Sequence, residues 1–225
     1  MTSLALAALF AGGAQAQSPK TDAELARAMS GAAPQSVLDA LTVYYALHAS
    51  ELEVQHMDER RTGSMFAIMN AREAGSNPDV MAELENQAMA VAAERDGVIG
   101  ENQQLRAKLK AMTGIPFADA LAVAPEAPET FPDAPAGTPP ALSAERDAAW
   151  AALQTAKAAW GEERLNLLDA QDRYDADRTV PIGDFMRAMT AAEVALARAA
   201  GQVRLIEAKI AIAAGGDLAA TLDGL

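Results

Sequence analysis

The sequence predicts an all-α protein made of two long antiparallel coiled-coil helical hairpins in tandem, and three observations carry that reading. Two segments read alike, each with a long amphipathic stretch, a short Gly/Pro break, and a second long stretch that ends in glycine. Apolar residues in these stretches recur at alternating steps of three and four, the heptad spacing of helices that pack on helices. The prolines, finally, stay out of all four stretches, as uninterrupted helices require.

Taken in order, residues 1–16 hold an apolar run followed by Ala14-Gln15-Ala16, a small-residue cleavage pattern that reads as a secretory signal peptide. The run is shorter than the roughly 20 residues a membrane span needs. The mature chain then begins near Gln17, with an N-terminal segment over 17–36. The first hairpin covers 37–114. Its first helix starts with Leu38, Leu41 and Tyr45, passes through polar His48, Gln55, Glu59 and Thr62, and recovers at Phe66 and Met69. It breaks at Glu73-Ala74-Gly75-Ser76-Asn77-Pro78-Asp79. The returning helix carries Leu84, Ala88, Val91, Val98, Leu105, Leu109 and Met112 on its seam, with Arg95 and Asn102 as polar interruptions, and closes at Gly114. A helix broken by so short a turn folds back on itself.

Seven of the eleven prolines fall between Pro116 and Pro140, beside four acidic residues and no Lys or Arg, so 115–140 reads as an extended connector. The second hairpin covers 141–216 and breaks at Asp177-Arg178-Thr179-Val180-Pro181-Ile182-Gly183-Asp184. Leu153, Trp160, Leu167 and Tyr174 repeat every seven on its first helix. Its last helix keeps an unbroken heptad seam through Ile182, Phe185, Met189, Ala192, Leu196, Ala199, Val203, Ile206, Ile210 and Ala213. A second stripe, Val194, Gly201, Leu205, Ala208 and Ile212, lies on another face. Two seams on one helix call for neighbours on both sides, as in a sheet of helices or an α-barrel wall. The second stripe, marked by Val194, Leu205 and Ile212, is therefore expected to be a seam between copies of the chain. Residues 217–225 read as a tail.

Composition narrows the function. Of 225 residues 51% are apolar, mostly alanine, and only 4% are aromatic, which suits thin helix–helix seams and not a thick globular core. A formal net charge of -13 without any basic stripe argues against nucleic acid or anionic lipid as a partner. Zero cysteines fit an exported protein. His48 and His56 are eight apart on the first helix, but Leu52 lies between them, so a metal ladder lacks its middle ligand and seam histidines are the better reading. The methionines Met57, Met65, Met69, Met81 and Met89 are better explained by packing than by soft-metal binding. Glu162-Glu163 and Asp172 through Asp177 sit among Arg164, Arg173 and Arg178, as solvated helical faces do. No phosphate loop, nucleophile elbow or thiol is present, so neither an enzyme nor a cofactor is expected.

The run Arg173-Tyr174-Asp175-Ala176-Asp177-Arg178-Thr179-Val180-Pro181-Ile182-Gly183-Asp184-Phe185-Met186-Arg187-Ala188, followed by an Ala-rich heptad helix closing at Gly215-Gly216, resembles the repeat of the TolC family of outer-membrane efflux proteins. The first copy is similar but looser: Ala71-Arg72-Glu73-Ala74-Gly75 leads into Pro78-Asp79-Val80, and the return ends Met112-Thr113-Gly114. Asp177 stands where the family usually has a tip glycine, and no segment alternates like the strands of an outer-membrane barrel. The resemblance therefore implies the periplasmic helical domain without the pore. It implies an oligomeric component of an efflux or type I export assembly, in the periplasm or associated there with the outer membrane, with a periplasmic adaptor (membrane fusion protein) and an inner-membrane transporter as partners. The partner-binding residues implied are the hairpin tips: Gly75, Ser76, Asn77, Pro78 and Asp79 in the first, and Asp177, Arg178, Thr179, Pro181, Gly183 and Asp184 in the second. The alternative is a periplasmic coiled-coil scaffold or chaperone-like protein unconnected with a pump.

Overall fold

The computed structural model describes residues 19, 21–117, 134–176 and 182–225. Among them there are six helices and no strand: α1 (Asp22–Ala28), α2 (Pro34–Glu73), α3 (Pro78–Thr113), α4 (Pro140–Ala176), α5 (Ile182–Ala213) and α6 (Leu218–Asp223). The all-α class is as the sequence predicts. The N-terminal segment and the C-terminal tail, however, each contribute a short helix, so the count is six where four were expected. No described helix is long and apolar enough to cross a membrane.

The ends of the long helices are set by a few residues. Proline opens α2, α3 and α4, where its missing N–H is one the helix would leave unpaired anyway. Helices α2 and α5 close on the same device. Gly75 and Gly215 adopt left-handed backbone with φ of 67° and 66°, the N–H after each reaches back to Ala71 or Ala211 at 2.9 Å, and their own N–H bonds Arg72 or Ile212. This is the pattern of a Schellman cap, which satisfies carbonyls the helix end leaves bare. Gly114 ends α3 in the same left-handed region, with φ of 72°.

The four long helices form a single layer in the order α3, α2, α5, α4, each packing only on its neighbours in that row. Adjacent helices run antiparallel. Between α2 and α3, Glu51 meets Arg106, Asp58 meets Arg95 and Arg72 meets Glu85, so numbering rises on one helix as it falls on the other. Arg95 and Asn102, polar interruptions in the sequence, thus have cross-helix partners, Asn102 donating to Glu51 at 3.0 Å. Between α4 and α5, Arg146 pairs with Glu207 and Lys209 with Glu145, while Leu153 packs on Ala200 and Val203 with Trp150 and Leu196 around them.

The middle of the row corrects one expectation. At Gly201, Leu205 and Ala208 the second stripe of α5 packs on α2 of the same chain. Val194 is buried, Leu205 packs in the same core as Tyr45 and Ala208, and Ile212 is half-buried. Gly201 is the point of closest approach, because a Cβ there would lie 2.7 Å from the Tyr45 Cβ. The spacing correctly called for neighbours on both sides of α5. Val194, Leu205 and Ile212 nevertheless offer little free surface to a second protomer.

The main core sits at one end of the layer, opposite the α2–α3 turn. Leu25 of α1, Leu41, Tyr44 and Leu47 of α2, Leu109 of α3 and Leu222 of α6 are all nearly or completely buried there. Each apolar side chain so buried contributes about 2 kcal/mol. Short α1 and α6 survive because they bury their apolar sides in this core and because a charge cluster ties them to α5. Arg204 donates through Nε and Nη2 to both carboxylate oxygens of Asp22, at 2.5 and 3.0 Å. It donates also to the Leu222 carbonyl at 2.6 Å, and the Tyr45 hydroxyl donates to Asp22 at 2.8 Å.

Two substitutions test this packing by denaturant unfolding. Gly201→Ala gains about 1 kcal/mol of helix propensity, but its methyl meets the Tyr45 Cβ, which cannot swing aside. A net loss of about 1–2 kcal/mol is expected, and a gain in stability would contradict the close approach of α2 and α5. Asp22→Ala strands a buried guanidinium and is expected to cost about 3–5 kcal/mol, whereas Asp22→Leu combined with Arg204→Met costs much less. Equal losses in the single and double variants would show that Asp22 acts through shape alone.

Candidate functional site

Because both helix pairs are antiparallel and α2 runs against α5, the α2–α3 turn and the α4–α5 break lie at the same end of the layer, away from the main core. At the first turn, Gly75 carries the left-handed backbone, Asn77 caps α3 by accepting from the Val80 N–H at 2.9 Å, and Pro78 opens that helix. Ser76 takes part through its backbone N–H. Asp79 is exposed in the first turn of α3, where a carboxylate favours the positive end of the helix dipole. Gly75, Asn77 and Pro78 thus shape the turn and Ser76 joins it through its backbone, while the Asp79 side chain is exposed.

At the second tip, Gly183 and Asp184 are exposed at the start of α5, and Asp184 pairs with Arg187 one turn on. Asp177, Arg178, Thr179 and Pro181 lie outside the described residues. Behind the tip, the Arg173 guanidinium stands over the Phe185 ring, 5.7 Å from its centroid, tying α4 to α5.

The helices do not reach equally far toward this end. His56 on α2 bonds Glu193 on α5, and from that contact α2 runs on for about 17 residues to Glu73 while α5 begins only about 11 residues away, at Ile182. At the α-helical rise, the α2–α3 pair outruns α5 by about 9 Å. The sequence suggested nearly matched arms, since the position of one helix along another is not written in either. Toward this end the α2–α3 pair exposes large apolar side chains: Met65 is 54%, Phe66 58%, Met69 50% and Met89 63% exposed. Phe66 and Met69 stand out in the sequence as the recovery of the α2 seam, but in the fold both are at least half exposed.

The two histidines do not meet a common ligand. His56 lies between Glu59 and Glu193. His48 is buried edge-on against Tyr44, with centroids 4.7 Å apart, and its Nε2 has no partner among the described residues. No three His, Asp or Glu side chains gather in a way that could hold a metal ion among the described residues. Burial lowers the His48 pKa to about 4, against a smaller opposing pull from Asp22. Burial likewise raises the Tyr44 and Tyr45 hydroxyls above their usual range, with Asp22 adding to the effect.

No protein-family model, curated protein or solved structure matches the chain. The class defined by the structure is thus an all-α layer of four long helices with an exposed end, and the likeness to the TolC family rests on the residues quoted for it.

His48 generates a pH prediction. Its folded pKa of about 4 lies below the unfolded value of 6.5, so the unfolded chain binds more protons in that window. The stability from neutral His48 is fully present above pH 6.5 and is lost as the pH falls toward 4, by about 3 kcal/mol in all. Replacing His48 with Phe should flatten this part of the pH–stability curve. An unchanged slope in the variant would place the acid sensitivity elsewhere.

Proposed function

We propose that the chain is a non-enzymatic, periplasmic helical component of an efflux or type I export assembly, similar to the helical domain of the TolC family. It associates with copies of itself and docks a membrane fusion protein, and through it an inner-membrane transporter, by its hairpin tips. The observation that supports this most is the layer itself: two antiparallel helix pairs side by side, with the α2–α3 turn and the start of α5 at one end and the main core at the other. Such a rod can present a fixed surface far from its base. With the second stripe of α5 taken by α2, the faces left for neighbouring copies are the outer faces of the edge helices α3 and α4. On α4, Leu165 and Leu168 are exposed.

A specific observation favours the alternative of a chaperone-like scaffold. Exposed Met65, Phe66, Met69 and Met89 make an adaptable apolar end of the kind that grips varied clients. The quoted motif residues and the polar, well-capped turn weigh toward the assembly reading.

In-cell photo-cross-linking separates the two readings. With a photoreactive side chain at Asp79 or at Asp184, the expected product is a single membrane-anchored periplasmic adaptor captured from both positions. A spread of unrelated unfolded proteins would overturn the assembly reading in favour of the scaffold.

A further inference from the structure

The two short helices belong to opposite ends of the described chain and meet each other at the base of the layer. Arg27 of α1 pairs with Asp223 of α6, and Ala23, Leu25, Ala26 and Met29 share one apolar cluster with Leu222. Each short helix carries its own cap: Thr21 accepts from the Glu24 N–H at 3.1 Å, and Asp217 accepts from the Ala220 N–H at 3.1 Å. Each is joined to a long helix by an exposed link that contains glycine, residues 30–33 before α2 and residues 214–217 after α5.

Arg204 of α5 holds both of them. Its guanidinium donates to Asp22 on α1 and to the Leu222 carbonyl on α6. If one helix left alone, the charge would lose partners while the other helix still kept water from it, and a buried charge without its partner is costly. If both leave together, Asp22 and Arg204 return to water and the desolvation that burial imposes is relieved. The two favourable arrangements therefore have both helices in place or both away. The long helices keep contacts of their own in either case. Tyr45 of α2 lies against Gly201 of α5, and α4 holds α5 through the separate cluster of Leu153, Ala200 and Val203.

We infer that α1 and α6 form a single strap, latched by Asp22 and Arg204, which opens as one unit about the links at residues 30–33 and 214–217 while the layer of long helices stays folded. Opening uncovers side chains of the layer that cluster with the strap, among them Leu41 and Tyr44 of α2 and Ala208 of α5. The closed strap is thus an internal cover on an apolar face, and the buried pair makes its two positions distinct. It sits at the end away from the α2–α3 turn and operates whether or not that turn docks a partner.

Hydrogen exchange of the whole protein, read residue by residue by NMR, tests the strap. The amides bonded within the short helices, 25–29 in α1 and 221–224 at α6, should show matching protection, about tenfold or more below that of residues 45–57 in α2 and 197–208 in α5. Asp22→Asn keeps the shape but leaves the guanidinium without its counter-charge, and it should speed exchange of both groups together by about tenfold or more, with the α2 and α5 amides unchanged. Leu222→Ala keeps the carbonyl and both charges, and it should speed the α1 amides by the same factor as those of α6. Asp22→Leu with Arg204→Met replaces the pair by apolar side chains and should return both groups to slow exchange.

If α1 and α6 exchange only at the rate of α2 and α5, the ends open with the whole fold and the strap does not exist. Unequal protection of the two helices in the wild type would overturn the inference as well, by making them two separate local contacts. So would acceleration of α1 alone by Asp22→Asn, or of α6 alone by Leu222→Ala.

Discussion

The architecture turns on one buried ion pair, Asp22 with Arg204. Arg204 is a charge on the face of α5 that α2 covers, nearly removed from water, and burial alone would lower its pKa. Hydrogen bonding and attraction from Asp22 more than offset that tendency, so the guanidinium pKa is raised. Its Nη2 also donates to the Leu222 carbonyl, and the Asp22 Oδ2 also accepts from the Tyr45 hydroxyl. One cluster thereby fixes α1, α2, α5 and α6 with respect to each other. A buried pair of this kind adds little net stability compared with apolar packing, but it penalises any arrangement that leaves one partner alone. Two helices of seven and six residues, too short to hold by themselves, are ordered at the base because of it.

From the base the rest follows in sequence. With α2 and α5 locked at Tyr45 and Gly201, their axial register is set, and each then carries its own return helix on the outer side. Side-chain pairs along α2–α3 and α4–α5 keep those partners in step. Away from the base, α2 carries no buried residue after Met57, so the distal half of the layer has only thin seams and exposed flanks. That gradient, thick core at one end and bare helices at the other, leaves the far end exposed.

Much of this was legible in the sequence. Prolines and glycines marked the helix ends, because Pro78, Gly75, Gly114 and Gly215 each do something only that residue does easily. The two stripes on α5 showed that it has neighbours on both sides. They could not show whose helix covers the second stripe, since a seam of Val194, Leu205 and Ala208 suits α2 as well as a second copy. Asp22 and Arg204 stand 182 residues apart and fall outside any local pattern, one in a short helix without periodicity and the other beside a seam where charges are common. The projection of the α2–α3 end was hidden for a related reason: helix lengths were readable, but their offset depends on a contact, His56 with Glu193, made only in the fold.

The claim on which the functional account stands is that the α2–α3 turn and the start of α5 lie at one end, with α2 reaching further than α5. A pair of spin labels at Ser76 and Gly183 measures it directly by pulsed electron resonance. Adjacent helix axes about 10 Å apart and an axial offset of about 9–13 Å predict one population near 20 Å, allowing for the label arms. A distance near 50 Å, the length of a helix arm, would put the two turns at opposite ends and remove the shared docking surface.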